Sequence, residues 1–276
     1  MNLTLTKHHG LGNDFLIVFH PGVGGDDALG ELAVRLCDRR RGVGADGLLV
    51  AESAEGKAAR MYLYNADGSR AEMSGNGIRC FAQAVAMRRG AEEGSAFDLA
   101  SQLIETDAGD KLVTLTAGGD DATIEASVDM GLVRDLVEPA GWAALGCNPD
   151  RPVAHLSMGN PHSVVGVDEV GAVDLTELGA KVPHVNLEIV EPGPEPEAIT
   201  MRVHERGAGI TKACGTGACV SAHAARSWGL VASNVSDITV HMDGGSAVVS
   251  FNDDRPGEVR LTGPATYVAT IDVEVP

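Results

Sequence analysis

The sequence is short of what several protein classes require. It carries 21 Lys and Arg against 39 Asp and Glu, a formal net charge of −18. That deficit of positive charge argues against a nucleic-acid backbone or an anionic membrane surface as the partner. The acidic excess fits a solvated surface and leaves room for a small zwitterionic ligand held in a local pocket. No run approaches the ~18 apolar residues of a membrane-spanning helix, so no span is expected. The opening stretch, MNLTLTKHHG, has no apolar core of the kind a secretory signal needs, and none is expected.

Cysteine is sparse and odd in number: Cys37, Cys80, Cys147, Cys214 and Cys219. No pair of CxxC motifs occurs, and the nine histidines form no HExxH. A disulfide framework and a structural zinc are both unexpected. The expectation is reduced thiols in a cytoplasmic protein. No glycine-rich phosphate loop and no recognisable lysine aldimine site is present, so a nucleotide or pyridoxal phosphate cofactor is not expected either.

What is present suffices for one large domain or two ordinary ones: 276 residues, 44% of them apolar. Strand-like runs are FLIVFH from Phe15, RMYLY from Arg60, KLVTLT from Lys111, ATIEASV from Ala122, AITMRVH from Ala198 and YVATIDVEV from Tyr267. ITVHMDGGSAVVSF from Ile238 reads as a hairpin turning at Asp243-Gly244-Gly245, where positive φ is cheap. Three segments have helical period. Leu29, Leu32, Ala33, Leu36 and Cys37 form one stripe; Ile78, Phe81, Ala82, Val85 and Ala86 form another. The second helix is expected to stop at Gly90, with Arg88 and Arg89 in its last turn. CGTGACVSAHAARSWG is apolar nearly all round and predicts a buried helix ending at Gly229.

The chain also echoes itself. Ser74-Gly75-Asn76-Gly77 recurs as Cys214-Gly215-Thr216-Gly217, each opening a helix. At equal distances upstream, just after a strand, stand Asn65 and Glu205. GNDFLIV from Gly12 and GNPHSVV from Gly159 echo at nearly the same separation. Two similar halves are implied, each presenting a helix N-terminus toward a shared cleft.

A helix N-terminus offers unpaired N–H groups and a partial positive charge, and so suits a carboxylate. Glycine lets the backbone come close to the ligand. A residue at such a mouth lies beside the α-carbon of a bound amino acid. Were it cysteine, the terminus would favour the thiolate and lower the thiol pKa. Two such groups supply what stereoinversion needs, one removing a proton and the other delivering one from the far side.

The segments HGLGNDF, NADGSRAEMSGNGIRC, MGNPH and ERGAGITKACGTGA together resemble the motif set of the diaminopimelate epimerases, in order and over the whole chain. The resemblance implies conversion of LL-2,6-diaminopimelate to the meso isomer, on the route to lysine and peptidoglycan, without a cofactor. It implies an α/β (α+β) fold of two pseudo-symmetric domains, each a mixed or antiparallel sheet wrapped around a central helix, usually as a homodimer. The expected halves are 1–117 with 264–276, and 118–263. The expected partner is the small-molecule substrate alone, with neither nucleic acid nor membrane.

By motif match, Cys214 is one catalytic acid/base. Gly75, Asn76, Gly215 and Thr216 would bind the carboxylate at the reacting end. Asn13, Asn65, Asn160, Asn186, Glu205 and Arg206 would read the rest of the substrate; Arg206 suits a carboxylate. His162 and Glu205 lie where the family places groups that tune the catalytic pKa values. Cys37, Cys80 and Cys219 read as core, Cys147 as an incidental surface residue, and Trp142 and Trp228 as packing.

Two positions depart from the family. Ser74 stands where the other catalytic cysteine is normal. Gly47, in GVGADGLLV, stands where glutamine is frequent, and Asp46-Gly47 reads equally as a turn. For Ser74 three readings stay open: a working substitute, a change that cripples inversion, or a scaffold turned to a neighbouring racemase, isomerase or dehydratase reaction. An amino-acid binding protein that kept the clamp is the alternative outside enzymes.

Overall fold

Alternation of burial organises most strands, and it is lost where a strand is covered on both faces. In the computed structural model, which describes residues 2–20, 22, 24–252 and 254–275, Thr123–Leu132 buries every second side chain over most of its length. The strand Gly47–Glu52 instead buries five consecutive residues, as a parallel strand covered on both faces does. The chain divides into two compact units, Met1–Val128 with Gly263–Pro276, and Asp129–Thr262. The change-over lies inside Thr123–Leu132, whose antiparallel register with Gly109–Ala117 continues as far as Val113↔Val128.

In the first unit, Asn2–Gly10 pairs antiparallel with Asn13–Phe19 and with the later part of Glu258–Glu274. Asn13–Phe19 runs parallel to Gly47–Glu52, which runs antiparallel to Ala59–Asn65. Ala59–Asn65 lies parallel to Gln102–Thr106. Gly109–Ala117 and Thr123–Leu132 continue the sheet antiparallel. Helix α1, Asp26–Cys37, buries the expected stripe of Leu29, Leu32, Ala33, Leu36 and Cys37.

Helix α2, Gly75–Glu93, is the centre of this unit: every residue from Gly75 to Ala86 is buried. A fully enclosed helix must satisfy its polar residues internally. Gln83 Oε1 accepts from His8 Nδ1 at 2.8 Å, and Gln83 Nε2 donates to the Ala122 carbonyl at 2.7 Å. The expected stop at Gly90 is wrong. The helix runs on to Gly94, which takes the left-handed conformation (φ 77°) and caps it. Gly90 serves close packing instead. A Cβ there would lie 2.9 Å from the backbone of Phe97.

The second unit repeats the plan. Val153–Ser157 and Pro161–Gly166 pair antiparallel; Pro161–Gly166 runs parallel to Asn186–Pro192, which is antiparallel to Ala198–Glu205. Ala198–Glu205 lies parallel to Asp237–Met242, and Gly245–Phe251 completes the expected hairpin. The two-residue turn is Asp243-Gly244, and the positive φ falls on Gly245 (129°). Helix α3, Leu175–Lys181, packs with Trp142 and Leu145 on Val165, Leu187 and Ile189. Cys147 is half-buried against that cluster rather than a loose surface residue. Helix α4, Gly215–Trp228, is enclosed from Gly215 to Ala222 and ends at Gly229 in the left-handed conformation (φ 75°). Each unit is therefore a mixed sheet around a buried central helix. Among the described residues, no helix is long and apolar enough to cross a membrane.

Candidate active site

Each central helix begins with the same local device. Ser74 caps α2 from extended backbone (φ −134°, ψ 127°), and its Oγ accepts from the Gly77 N–H at 3.1 Å. Cys214 caps α4 from nearly the same conformation (φ −127°, ψ 114°), and its Sγ accepts from the Gly217 N–H at 3.4 Å. Serine is among the preferred capping residues; cysteine is not. A sulfur at a buried cap is placed there for chemistry more plausibly than for helix stability. The glycines three residues on are required by crowding. A Cβ at Gly77 would lie 3.1 Å from Ser74 Cβ, and one at Gly217 would lie 2.8 Å from Glu188 Oε1.

A loop asparagine is tied to the first turn of each central helix, accepting in one unit and donating in the other. In the first unit Asn76 Nδ2 donates to Asn13 Oδ1 at 3.2 Å. In the second, Asn160 Nδ2 donates to Thr216 Oγ1 at 3.4 Å. Asn13 is fixed further by Nδ2 donating to Asp46 Oδ2 at 2.7 Å. Asp46 is bridged to Asp14 by Arg39. Fully buried Arg79 donates to Asn76 Oδ1 at 2.9 Å and to the Gly75 carbonyl at 3.1 Å, which rigidifies the first turn of α2.

The second unit has an additional layer. His162 Nδ1 lies 2.6 Å from Glu188 Oε1, and both side chains are completely buried. His162 Nε2 lies 2.9 Å from Asn160 Oδ1. Thr216 Oγ1 lies 3.5 Å from Cys214 Sγ. Strand register gives the first-unit counterparts. Phe15 stands opposite Gly47 across its parallel pair as His162 stands opposite Asn186, and Ile17↔Leu49 corresponds to Val164↔Glu188. The positions of His162 and Glu188 are thus filled by Phe15 and Leu49 around the serine cap. The two halves share a backbone plan and differ in their electrostatics.

The helix terminus lowers the Cys214 pKa through the Gly217 N–H, as expected, but is outweighed. Burial pushes it well above the ordinary thiol value, and the carboxylate of Glu205 pushes it the same way; hydrogen bonds from Thr216 and the Gly217 N–H oppose them. Burial therefore favours the neutral thiol over the thiolate at Cys214. Burial likewise raises Cys37 and Cys80 to about 12, which leaves them inert core thiols.

The remaining expected residues are placed as follows. Asn186 is buried, and its Oδ1 accepts from the Arg206 N–H at 2.8 Å, while the rest of Arg206 is exposed. Glu205 accepts from the Thr211 hydroxyl. Asn65 is exposed and bonds Ser69 in its own turn at 3.0 Å. Gly47 begins a strand rather than a turn, and a Cβ there would lie 2.9 Å from the Tyr64 carbonyl. Among the described residues, no three His, Cys, Asp or Glu side chains are grouped to hold a metal ion. Sequence reasoning missed Glu188 and Arg79. The signal for Glu188 was a lone carboxylate in the otherwise apolar strand NLEIV; Arg79, at the helix position facing its own first turn, gave none.

Known proteins share the sequence and the fold of this chain. The profile of the diaminopimelate epimerase family matches residues 5–135 and 154–268. A diaminopimelate epimerase of Synechococcus elongatus is 37% identical over 295 residues, covering 100% of this chain and 99% of the relative. The fold recurs in a PhzF-family phenazine biosynthesis protein of Bacillus anthracis, at 16% identity and a TM-score of 0.72, over 100% of both chains. It recurs also in a hydroxyproline epimerase of Agrobacterium vitis, at 16% identity and a TM-score of 0.71, over 99% of this chain and 91% of that one. With two helix caps of one geometry, and full-length likeness at 37% identity, the chain belongs to the diaminopimelate epimerase family.

Proposed function

We propose that the chain is an isomerase that converts LL-2,6-diaminopimelate to meso-diaminopimelate by cofactor-independent proton transfer at the α-carbon, in the supply of lysine and peptidoglycan precursors. The observation that carries this reading is the equivalence of the two caps, Ser74 and Cys214, on buried helices of matching plan. Cys214 exchanges the α-proton of one stereoisomer. Ser74, or a water it orients, serves the other. Gly75, Asn76, Gly215 and Thr216 hold the carboxylate beside the reacting carbon through the helix starts. Asn13, Asn65, Asn160, Asn186, Glu205 and Arg206 read the remaining ammonium and carboxylate groups. His162 and Glu205 tune the catalytic pKa values. Free thiols and the biosynthetic role support a cytoplasmic location, and the family resemblance supports a homodimer.

A serine hydroxyl is a weak base unless a neighbour activates it. Phe15, in the place equivalent to His162, offers no such help within the first unit. This favours an epimerase slower than a two-cysteine enzyme. Incubation in deuterated water with LL- and meso-diaminopimelate tests the reading. Deuterium at Cα with inversion supports it; exchange without inversion refutes two-sided catalysis. Binding by calorimetry with no exchange, even in Ser74→Cys, would make the chain a binding protein.

A further inference from the structure

Glu188 is the one strongly buried acid beside the cysteine cap whose part remains unassigned. Its Oε2 is buried and has no hydrogen-bond partner. Its Oε1 lies in the notch left by Gly217: the point a Cβ would occupy there is 2.8 Å from Oε1 and 3.3 Å from Cys214 Sγ. The carboxyl and the thiol thus line one small space. An ionised carboxylate with a bare oxygen, wholly out of water and within the electrostatic reach of Glu205, is costly. A neutral acid is not: its carbonyl oxygen can stay unpartnered at small cost, and its O–H has an acceptor in His162 Nδ1 at 2.6 Å.

Protonating Glu188 orders every bond that follows. His162 with Nδ1 accepting must carry its proton on Nε2, which then donates to Asn160 Oδ1 at 2.9 Å. The Asn160 amide, fixed by that bond, donates through Nδ2 to Thr216 Oγ1 at 3.4 Å. The Thr216 hydroxyl, having accepted, turns its own hydrogen to Cys214 Sγ at 3.5 Å. Each member accepts from one side and donates to the other, so the chain has a single direction. Burial works the same way, holding the Glu188 carboxyl above the usual carboxylate range.

We propose that Glu188 is a positioning residue for the reaction: as a neutral carboxylic acid it heads a one-way chain of hydrogen bonds, Glu188–His162–Asn160–Thr216, that delivers a donor hydrogen to the Cys214 sulfur when that sulfur gives up its proton. This rests on Cys214 being a proton-transfer group. The first unit has no such chain, because Phe15 and Leu49 hold the equivalent positions. The asymmetry assigns the demanding, charge-developing step to the cysteine side.

The full native chain provides the first test, by nitrogen-15 NMR of the His162 ring without substrate. The expected result is Nε2–H with an unprotonated Nδ1 across neutral pH. A doubly protonated ring, or a hydrogen on Nδ1, overturns the proposal. The second test follows thiolate absorbance against pH, with Cys214→Ala as the blank. Glu188→Gln keeps an N–H donor toward Nδ1 and is expected to leave the Cys214 midpoint in place. Glu188→Met, similar in size but with no donor, is expected to raise the midpoint and slow Cα exchange about tenfold at neutral pH. Equal behaviour of Gln and Met, whether shifted or not, overturns it. If Met fails to fold, the NMR result and Gln still decide. The ring tautomer and the thiolate midpoint are both independent of turnover. A native chain that shows the predicted tautomer but exchanges no Cα proton would sink the epimerase reading and leave the chain of hydrogen bonds standing.

Discussion

Ser74 and Cys214 hold their helices in one backbone conformation, φ −134°, ψ 127° against φ −127°, ψ 114°, each accepting the N–H of the glycine three residues on. A hydroxyl and a thiol therefore occupy matched sites and differ mainly in what surrounds them. Cys214 is buried with Glu188, His162 and Thr216 about it. Ser74 is only partly buried.

Ser74→Cys is expected to raise the rate of Cα deuterium exchange with inversion by tenfold or more, since a thiol is far more readily ionised than a hydroxyl. The cap is retained, because Cys214 shows that sulfur accepts the same N–H. Ser74→Ala removes the cap and should cost about 1 kcal/mol of stability in urea unfolding. A Ser74→Cys chain no faster than its parent would mean that Ser74 is outside the proton-transfer step.

Cys214→Ser should reduce exchange with both stereoisomers by about 10²–10⁴-fold, the usual worth of a positioned acid/base. Cys80→Ser and Cys219→Ser, in the core, should change stability rather than exchange. Parallel assays of exchange and unfolding separate the two effects. Full activity in Cys214→Ser would remove the thiol from the mechanism.

His8 should make the fold sensitive to mild acid. Burial pulls its pKa down to about 4, against the hydrogen bond it donates to Gln83 Oε1, which acts to raise it. Its Nε2 is buried without a partner. The unfolded chain, with an imidazole near 6.5, binds the proton first. Stability from neutral His8 is therefore complete above pH 6.5 and lost as pH falls toward 4, by about 3 kcal/mol at most. Urea midpoints measured between pH 7 and 4 should fall, and His8→Met should flatten that slope. An unchanged slope in His8→Met would place the acid sensitivity elsewhere.

Gly90→Ala and Gly94→Ala should both destabilise, for different reasons. At Gly90 a methyl meets the Phe97 backbone at 2.9 Å, an overpacking cost of about 1–3 kcal/mol. At Gly94 space is open but the left-handed φ of 77° is strained, about 1 kcal/mol. Thermal unfolding of the two variants should show the larger loss at Gly90. The reverse order would return the helix stop to Gly90.

Much of the fold was legible because one face, or every second residue, had to be apolar. The stripe of Leu29, Leu32, Leu36 and Cys37 and the hairpin around Asp243-Gly244 follow from that requirement alone. The strands Asn2–Gly10, Gln102–Thr106 and Asn186–Pro192 were not foreseen. Their patterns are too mixed or too short until neighbouring strands supply the second face. Gly90 looked like a stop because glycine so often ends helices; only the approach of Phe97 shows why it sits inside one.

The sequence by itself determined the repeated helix caps, the glycines beside them and the contrast of serine with cysteine, since these are local patterns that a chain carries whatever it packs against. The tertiary structure alone decided that Glu188 meets His162, and that Cys214 is buried where a thiol is favoured over a thiolate. Those facts depend on parallel register between Pro161–Gly166 and Asn186–Pro192, and on burial, which strips water from a charge only once distant strands have closed around it.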